Sequence, residues 1–367
     1  MSISDFFNKN LKTIVSYVPG KQVEAVAREL KISPDDITKL ASNESPLGVC
    51  PSAVRAMIEY INKMNLYPDA GAFELKGKLA KYHDIKPEQI IIGNGSDEII
   101  KDISFGFGGA GSSIVMSKYT FLNYKIYPKM FGTEIIEVPT KGLSHDLRAM
   151  AESIKSNTRI VFICNPNNPT GTIIDDAEII EFMKKVPENV LVVFDEAYAE
   201  IAQKKMPNTL DFVRQGRTVM ILRSFSKAYG LAGLRVGYGI TTSEIAELMG
   251  KPRIPFNCNY MGQAAAIAAL EDADFVQESK KVYKSGISQI SGACKELNLQ
   301  YEPTYANFIL IRTGNGKDVY EKLMMKGVIV RPVDAYNLPE WIRVSIGTRE
   351  QNNKFIDALT EVLASIK

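Results

Sequence analysis

The sequence predicts an α/β fold: a large domain built on a mostly parallel sheet between helices, plus a smaller α+β domain. Three observations carry that prediction. Short runs rich in Ile and Val recur through the middle of the chain, segments of helical spacing lie between them, and the texture changes beyond about Gly250. Apolar runs of strand length read as strands buried on both faces. Their alternation with helical segments is the pattern of a parallel sheet covered by helices on each side. The chain of 367 residues also exceeds the ~250 to 300 residues at which single cores stop growing, so two domains are expected.

In chain order, residues 1–40, with "SYVPGKQVEAVARELKI", are expected to pack beside the smaller domain. Residues 41–250 form the large domain. Its strands are predicted at "QIIIG" near Gln89, "SSIVMS" near Ser113, "TEIIEV" near Thr133, "RIVFIC" near Arg159, "NVLVVFDE" near Asn189 and "TVMILRS" near Thr218, with a helix over "DDAEIIEFMKKV" from Asp175. Residues 251–367 form the smaller domain: one Ala-rich helix from Gly262 to Leu297, then strand-like pieces in "NFILIR", "GVIVRPV" and "WIRVSIG". The sequence shows no tandem repeat and no low-complexity tract.

Composition narrows the function classes. A net charge of +2 gives no electrostatic case for nucleic acid as a partner. Cys50, Cys164, Cys258 and Cys294 lie far apart without a CxxC, and the chain has 2 histidines, which argues for reduced buried thiols and against a metal site. Neither a signal-peptide core nor a run of about 18 apolar residues is present, so a cytoplasmic protein with no membrane partner is expected.

One glycine-rich stretch is a decoy. "GFGGAG", Gly106 to Gly111, has the spacing of a dinucleotide-binding fingerprint, which needs a strand before it and a helix after it. Here a predicted helix precedes and a strand follows, so the stretch reads as a turn.

In sheets of this kind ligands bind beyond the carboxyl ends of the strands. "NPNNPTG" directly follows "RIVFIC", and its prolines and glycine present Asn168 from a rigid loop. The next strand ends in Asp195, whose carboxylate costs several kcal/mol in so apolar a run unless it is paired. It either caps the following turn or partners a buried cation. The third strand delivers "RSFSKAYGLAGLR", which sets Lys227 among small and apolar residues. Desolvation there lowers a lysine pKa and makes the amine a nucleophile toward carbonyls. Ser224, Ser226 and Arg235 around it suit a phosphate group. Upstream, "GNGSDE" opens a helix whose free amides can cradle a phosphate, with Ser96 or Asp97 as a plain helix cap the alternative. Together these point to an aldehyde-bearing, phosphorylated nitrogen ring, pyridoxal 5'-phosphate, to which a protein contributes a lysine and an acidic partner for the ring nitrogen.

The ordered set "GNGSDE", "YTFLNY", "NPNNPTG", "DEAY", "SFSKAYGLAGLR" and "RVSIGT" resembles the fold-type-I aminotransferases, and most closely the histidinol-phosphate aminotransferase family. The likeness spans nearly the whole chain and includes "YVPGK", "KLASNESPLG" and "LYPD". It implies a seven-stranded sheet of the fold-type-I kind and assigns roles by position. Lys227 would hold the cofactor covalently and then act as the general acid/base. Asp195 would pair with the ring nitrogen, Asn168 and Tyr198 would donate to the ring's phenolate oxygen, and Phe121 would stack on its face. Ser96, Asp97, Ser224, Ser226 and Arg235 would surround the phosphate, Asp97 only through its backbone amide.

The same resemblance places Arg343 on a substrate carboxylate and Arg331 on a substrate phosphate. A local carboxylate partner is the alternative for Arg331. Tyr17 and Tyr67 would lie near the substrate, Tyr67 coming from the neighbouring subunit of a homodimer with shared sites. The reactants implied are histidinol phosphate and 2-oxoglutarate, in histidine biosynthesis. Close relatives instead transaminate aromatic amino acids, and others decarboxylate threonine phosphate with the same cofactor constellation. Ser45 stands where the family usually has Asn, and Tyr119 where it has Pro. The first bears on the loop at the site entrance and the second on the turn that presents Phe121. A cofactor-sensing transcription regulator would need an appended DNA-binding module, for which the early start of these motifs leaves no room.

Overall fold

The computed structural model describes residues 2–14 and 20–366. Seven strands form its large sheet: Ile90–Gly93 (β1), Ser113–Ser117 (β2), Glu134–Val138 (β3), Thr158–Cys164 (β4), Leu191–Asp195 (β5), Val219–Ser224 (β6) and Gly237–Thr241 (β7). Their order across the sheet is β1-β7-β6-β5-β4-β2-β3. All six predicted runs are therefore strands.

Alternation along these runs separates two cores. Val161, Ile163, Val192, Phe194 and Ile221 pack on one face, while Ile160, Phe162, Leu191, Val193, Met220 and Leu222 pack on the other. Both faces are buried, which is why the runs read as continuous apolar stretches. Helices Ser96–Phe107 (α1), Asn123–Met130 (α2) and Asp176–Met183 (α3) are among those that connect the strands. Gly106 to Gly111 closes α1 and turns the chain into β2, so no dinucleotide fingerprint is formed.

The seventh strand, β7, was not among the predicted runs, and it lies antiparallel to both β1 and β6. The link from Phe225 to Val236 contains only a short 3-10 turn at Ala232–Leu234. Without a crossover helix the chain returns in the opposite sense. Its amino end therefore reaches the edge where β1 and β6 finish, with Gly237 paired to both Gly93 and Ser224. A Cβ on Gly237 would lie 2.2 Å from the Ser96 amide nitrogen, so only glycine lets β7 pass this close to the start of α1.

A second sheet holds Tyr301–Glu302 (β8), Phe308–Arg312 (β9), Arg331–Pro332 (β10) and Trp341–Ser345 (β11), in the order β10-β11-β9-β8. The helix predicted from Gly262 to Leu297 is in fact two helices, Tyr260–Leu270 (α4) and Ala273–Glu296 (α5). Asp272 breaks it by accepting a 3.2 Å hydrogen bond from the Phe275 amide, which caps α5. Helix α4 packs on helices Pro51–Tyr60 and Phe73–His83, and the last helix, Arg349–Ile366 (α6), packs on α5. All four cysteines are buried and free. Among the described residues no helix is long and apolar enough to cross a membrane.

Candidate active site

Strands β4, β5 and β6 are neighbours, and their carboxyl ends meet at one cavity lined by residues from both sheets. Two more open depressions, one around Arg55, Glu59 and Asp274 and one around Lys326, Asp357 and Glu361, contain none of the predicted site residues.

Lys227 follows β6 and its buried amine donates to the Ser42 carbonyl at 3.2 Å. Burial pushes its pKa down to about 8, and the Arg343 charge acts in the same direction. An amine in this state is neutral often enough near neutrality to attack a carbonyl.

Asp195, the last residue of β5, is buried and accepts hydrogen bonds from the Tyr124 hydroxyl at 2.6 Å and the Ala197 amide at 3.2 Å. Burial nevertheless pushes its pKa up to about 6, and the like charges of Asp97 and Glu196 act in the same direction. A buried carboxylate supplied with neutral donors, and in no salt bridge among the described residues, fits a ligand that brings a cationic N–H.

Asn168, on the loop after β4, donates to the Tyr198 hydroxyl at 3.3 Å, and Asn43 donates to the same oxygen at 3.1 Å. Burial pushes the Tyr198 pKa up, so the phenol keeps its proton. With both lone pairs engaged, its O–H is left to donate to a third partner. Arg343 of β11 is buried, donates to Asn168 Oδ1 at 2.5 Å and to the Ala41 carbonyl at 2.9 Å, and keeps an unpartnered Nε. Arg331 is its register partner across β10 and β11. Both arginines line the cavity.

At the other end of the cavity Ser96 begins α1, beside Ser224, Ser226 and Arg235. The Ser224 hydroxyl accepts from the Ser226 amide at 3.1 Å. Gly95, at φ +80°, lies so close beneath Arg235 that a Cβ there would sit 2.5 Å from its Nη2. Helix-start amides, hydroxyls and a guanidinium make a cradle suited to a phosphate, and a side chain at Gly95 would fill it. Phe121 lines the same cavity, edge-on to Tyr124 with ring centroids 5.5 Å apart. These residues fit pyridoxal 5'-phosphate at each of its functional groups.

The family model for class I and II aminotransferases matches residues 35–359. Over 364 residues the chain is 47% identical to the histidinol-phosphate aminotransferase of Akkermansia muciniphila, with 99% of this chain and 100% of that one covered. The chain belongs to the histidinol-phosphate aminotransferase family. This aminotransferase is also 47% identical, over 355 residues, to the histidinol-phosphate aminotransferase of Moorella thermoacetica, with 96% of this chain and 92% of that one covered. Its fold is similar to that of the histidinol-phosphate aminotransferase of Sinorhizobium meliloti solved in complex with pyridoxal-5'-phosphate, with a TM-score of 0.89, 28% identity and 98% of each chain covered.

Within the aminotransferase cavity lie Ser96, Asp97, Phe121, Asn168, Asp195, Tyr198, Ser224, Ser226, Lys227, Arg235, Arg331 and Arg343. Tyr67 is elsewhere: it is 80% exposed and stacks on Phe256 at 4.6 Å. Tyr17 lies outside the described residues. Tyr119 packs with Leu122 and Leu143 against a cluster containing Leu310, Val333, Tyr336 and Trp341, and the Ser45 hydroxyl is buried beside Tyr283.

Sequence reasoning missed Tyr124, Asn43 and the Ser42 carbonyl. Tyr124 stands three residues after Phe121 in "YTFLNY", a helical spacing that was a usable signal. Ser42 and Asn43 lie in "KLASNESPLG", whose likeness marked the loop but not their contacts, because their partners lie 185 and 155 residues away in the chain.

Proposed function

We propose that the chain is a pyridoxal-phosphate-dependent transaminase that moves an amino group between histidinol phosphate and 2-oxoglutarate, in either direction, within histidine biosynthesis. The observation that carries the substrate reading is the register pair Arg331 and Arg343 at the Lys227 cavity. Two guanidiniums at one cavity suit a substrate that presents a phosphate in one half-reaction and a carboxylate in the other. A bare aromatic side chain has no use for the second guanidinium. The names of the relatives at 47% identity support the same substrate.

When bound, the cofactor supplies an electron sink for the substrate carbon. Ser96, Ser224, Ser226 and Arg235 would hold its phosphate, and Phe121 would pack against its ring. Asp195 would keep the ring nitrogen protonated, while Asn168 and Tyr198 would donate to the phenolate oxygen. Lys227, with a pKa near 8, accepts and returns the proton at the substrate carbon. Arg331 binds the substrate phosphate, and Arg343 binds the carboxylate of the glutamate half-reaction.

A homodimer completes this reading. Val54, Ile58, Ile61, Leu66, Tyr67, Phe73, Ile254 and Phe256 are exposed, an apolar set suited to cover by a second copy. Tyr67 then reaches the partner's cavity, and the enzyme works in the cytoplasm.

Single-turnover rates with histidinol phosphate, phenylalanine, tyrosine and threonine phosphate test the substrate. Histidinol phosphate is expected to react fastest. A preference for an unphosphorylated aromatic amino acid, or carbon dioxide released from threonine phosphate, would replace the reading.

A further inference from the structure

Asp97 sets an electrostatic problem for a phosphate site. It lies in the first turn of α1 and lines the cavity with Ser96, Ser226 and Arg235, where its charge would repel a bound phosphate. Both of its carboxylate oxygens are engaged. Asn123 donates to Oδ1 at 2.5 Å and the Tyr127 hydroxyl donates to Oδ2 at 2.6 Å. Both donors sit on α2, whose Tyr124, one turn before Tyr127, donates to Asp195. Phe121, Tyr124 and Tyr127 recur every third residue, so one short run supplies an aromatic ring lining the cavity and a donor to each of two carboxylates there. Burial and the nearby Asp97 charge push the Tyr127 pKa up against the pull of Arg235, so the hydroxyl remains a donor.

We propose that Tyr127, together with Asn123, is a positioning residue for the cofactor phosphate: it ties the Asp97 carboxylate to α2 and leaves the amino-terminal amides of α1 to the phosphate. The proposal rests on the pyridoxal-phosphate reading given above. Losing the bond would free the carboxylate to approach the phosphate, so the defect would depend on the charge at residue 97 and on the phosphate itself.

The test titrates full-length protein with pyridoxal 5'-phosphate and with pyridoxal, which lacks the phosphate, following the visible absorbance of the Lys-bound chromophore. Tyr127→Phe is expected to weaken pyridoxal 5'-phosphate about tenfold, the size of one hydrogen bond to a charged group, and to leave pyridoxal unchanged. Adding Asp97→Asn to the same chain is expected to restore most of the loss. Asn123→Ala is expected to give the same phosphate-specific weakening and serves as the second variant if Tyr127→Phe does not fold. Unchanged affinity, an equal loss for both ligands, or no rescue by Asp97→Asn would overturn the proposal. Failure of the wild type to bind pyridoxal 5'-phosphate would instead overturn the cofactor reading on which it rests.

Discussion

The Tyr124 hydroxyl donates a 2.6 Å hydrogen bond to Oδ2 of Asp195 from a ring that is fully buried and stacked on Phe162 at 4.6 Å. That bond lowers the pKa of Asp195, yet burial outweighs it and leaves the carboxyl at about 6, above its ordinary 3.8. A raised acid pKa means that ionisation destabilises the folded state. The cost is absent below about pH 4 and complete above about pH 6. Without cofactor, Asp195→Asn should therefore stabilise the protein above pH 6, by on the order of 2 to 3 kcal/mol, and have little effect near pH 4. Urea unfolding of cofactor-free wild type and variant across that range checks it, and a pH-independent difference would contradict it. Tyr124→Phe should move the window to higher pH.

Lys227 sets a second pH dependence. Only the neutral amine attacks a carbonyl, and burial with Arg343 brings its pKa down to about 8. The rate at which cofactor-free protein captures pyridoxal 5'-phosphate should rise with pH and level off just above 8. Arg343→Gln removes a positive charge, so the plateau should move to higher pH. A wild-type rate that keeps rising through pH 10 would mean an ordinary solvated lysine.

Arg223 of β6 ties that strand to the residues just after β5. It lies 2.6 Å from Glu196 Oε2 and 2.9 Å from Glu200 Oε1 in a largely buried cluster. Arg223→Met would leave two carboxylates buried without a cation, at a cost of about 3–5 kcal/mol in stability. Adding Glu196→Gln and Glu200→Gln should recover much of that loss, because the neutral triple variant buries no unpaired charge. Chemical denaturation of the two variants measures both effects.

Strands β1, β2, β4, β5 and β6 were legible because burial on both faces leaves them nearly continuous in apolar residues, and the edge strand β3, with Glu134 and Glu137 exposed, through its Ile135–Ile136 pair. Strand β7 was not, since Gly237 and Gly239 interrupt its run, and Gly237 is needed for the approach to Ser96. The break between α4 and α5 was hidden because Asp272 looks like any polar position until its side chain is seen on the Phe275 amide. At the site, Asn168, Asp195 and Lys227 could be found because Asp195 ends a recognisable strand and the other two lie a few residues beyond the ends of its neighbours. The carbonyls of Ser42 and Ala41 could not, because any residue carries one and only the tertiary fold aims these at Lys227 and Arg343.

The central claim is that Lys227 serves a transamination of histidinol phosphate, and one half-reaction tests it most directly. Cofactor-loaded protein is mixed with histidinol phosphate and no keto acid, while the visible band and the ketone product are followed. The expected result is loss of the band with about one ketone formed per Lys227 site, and neither change in Lys227→Ala. A band that persists with no ketone, in protein that demonstrably holds the cofactor, would contradict the account.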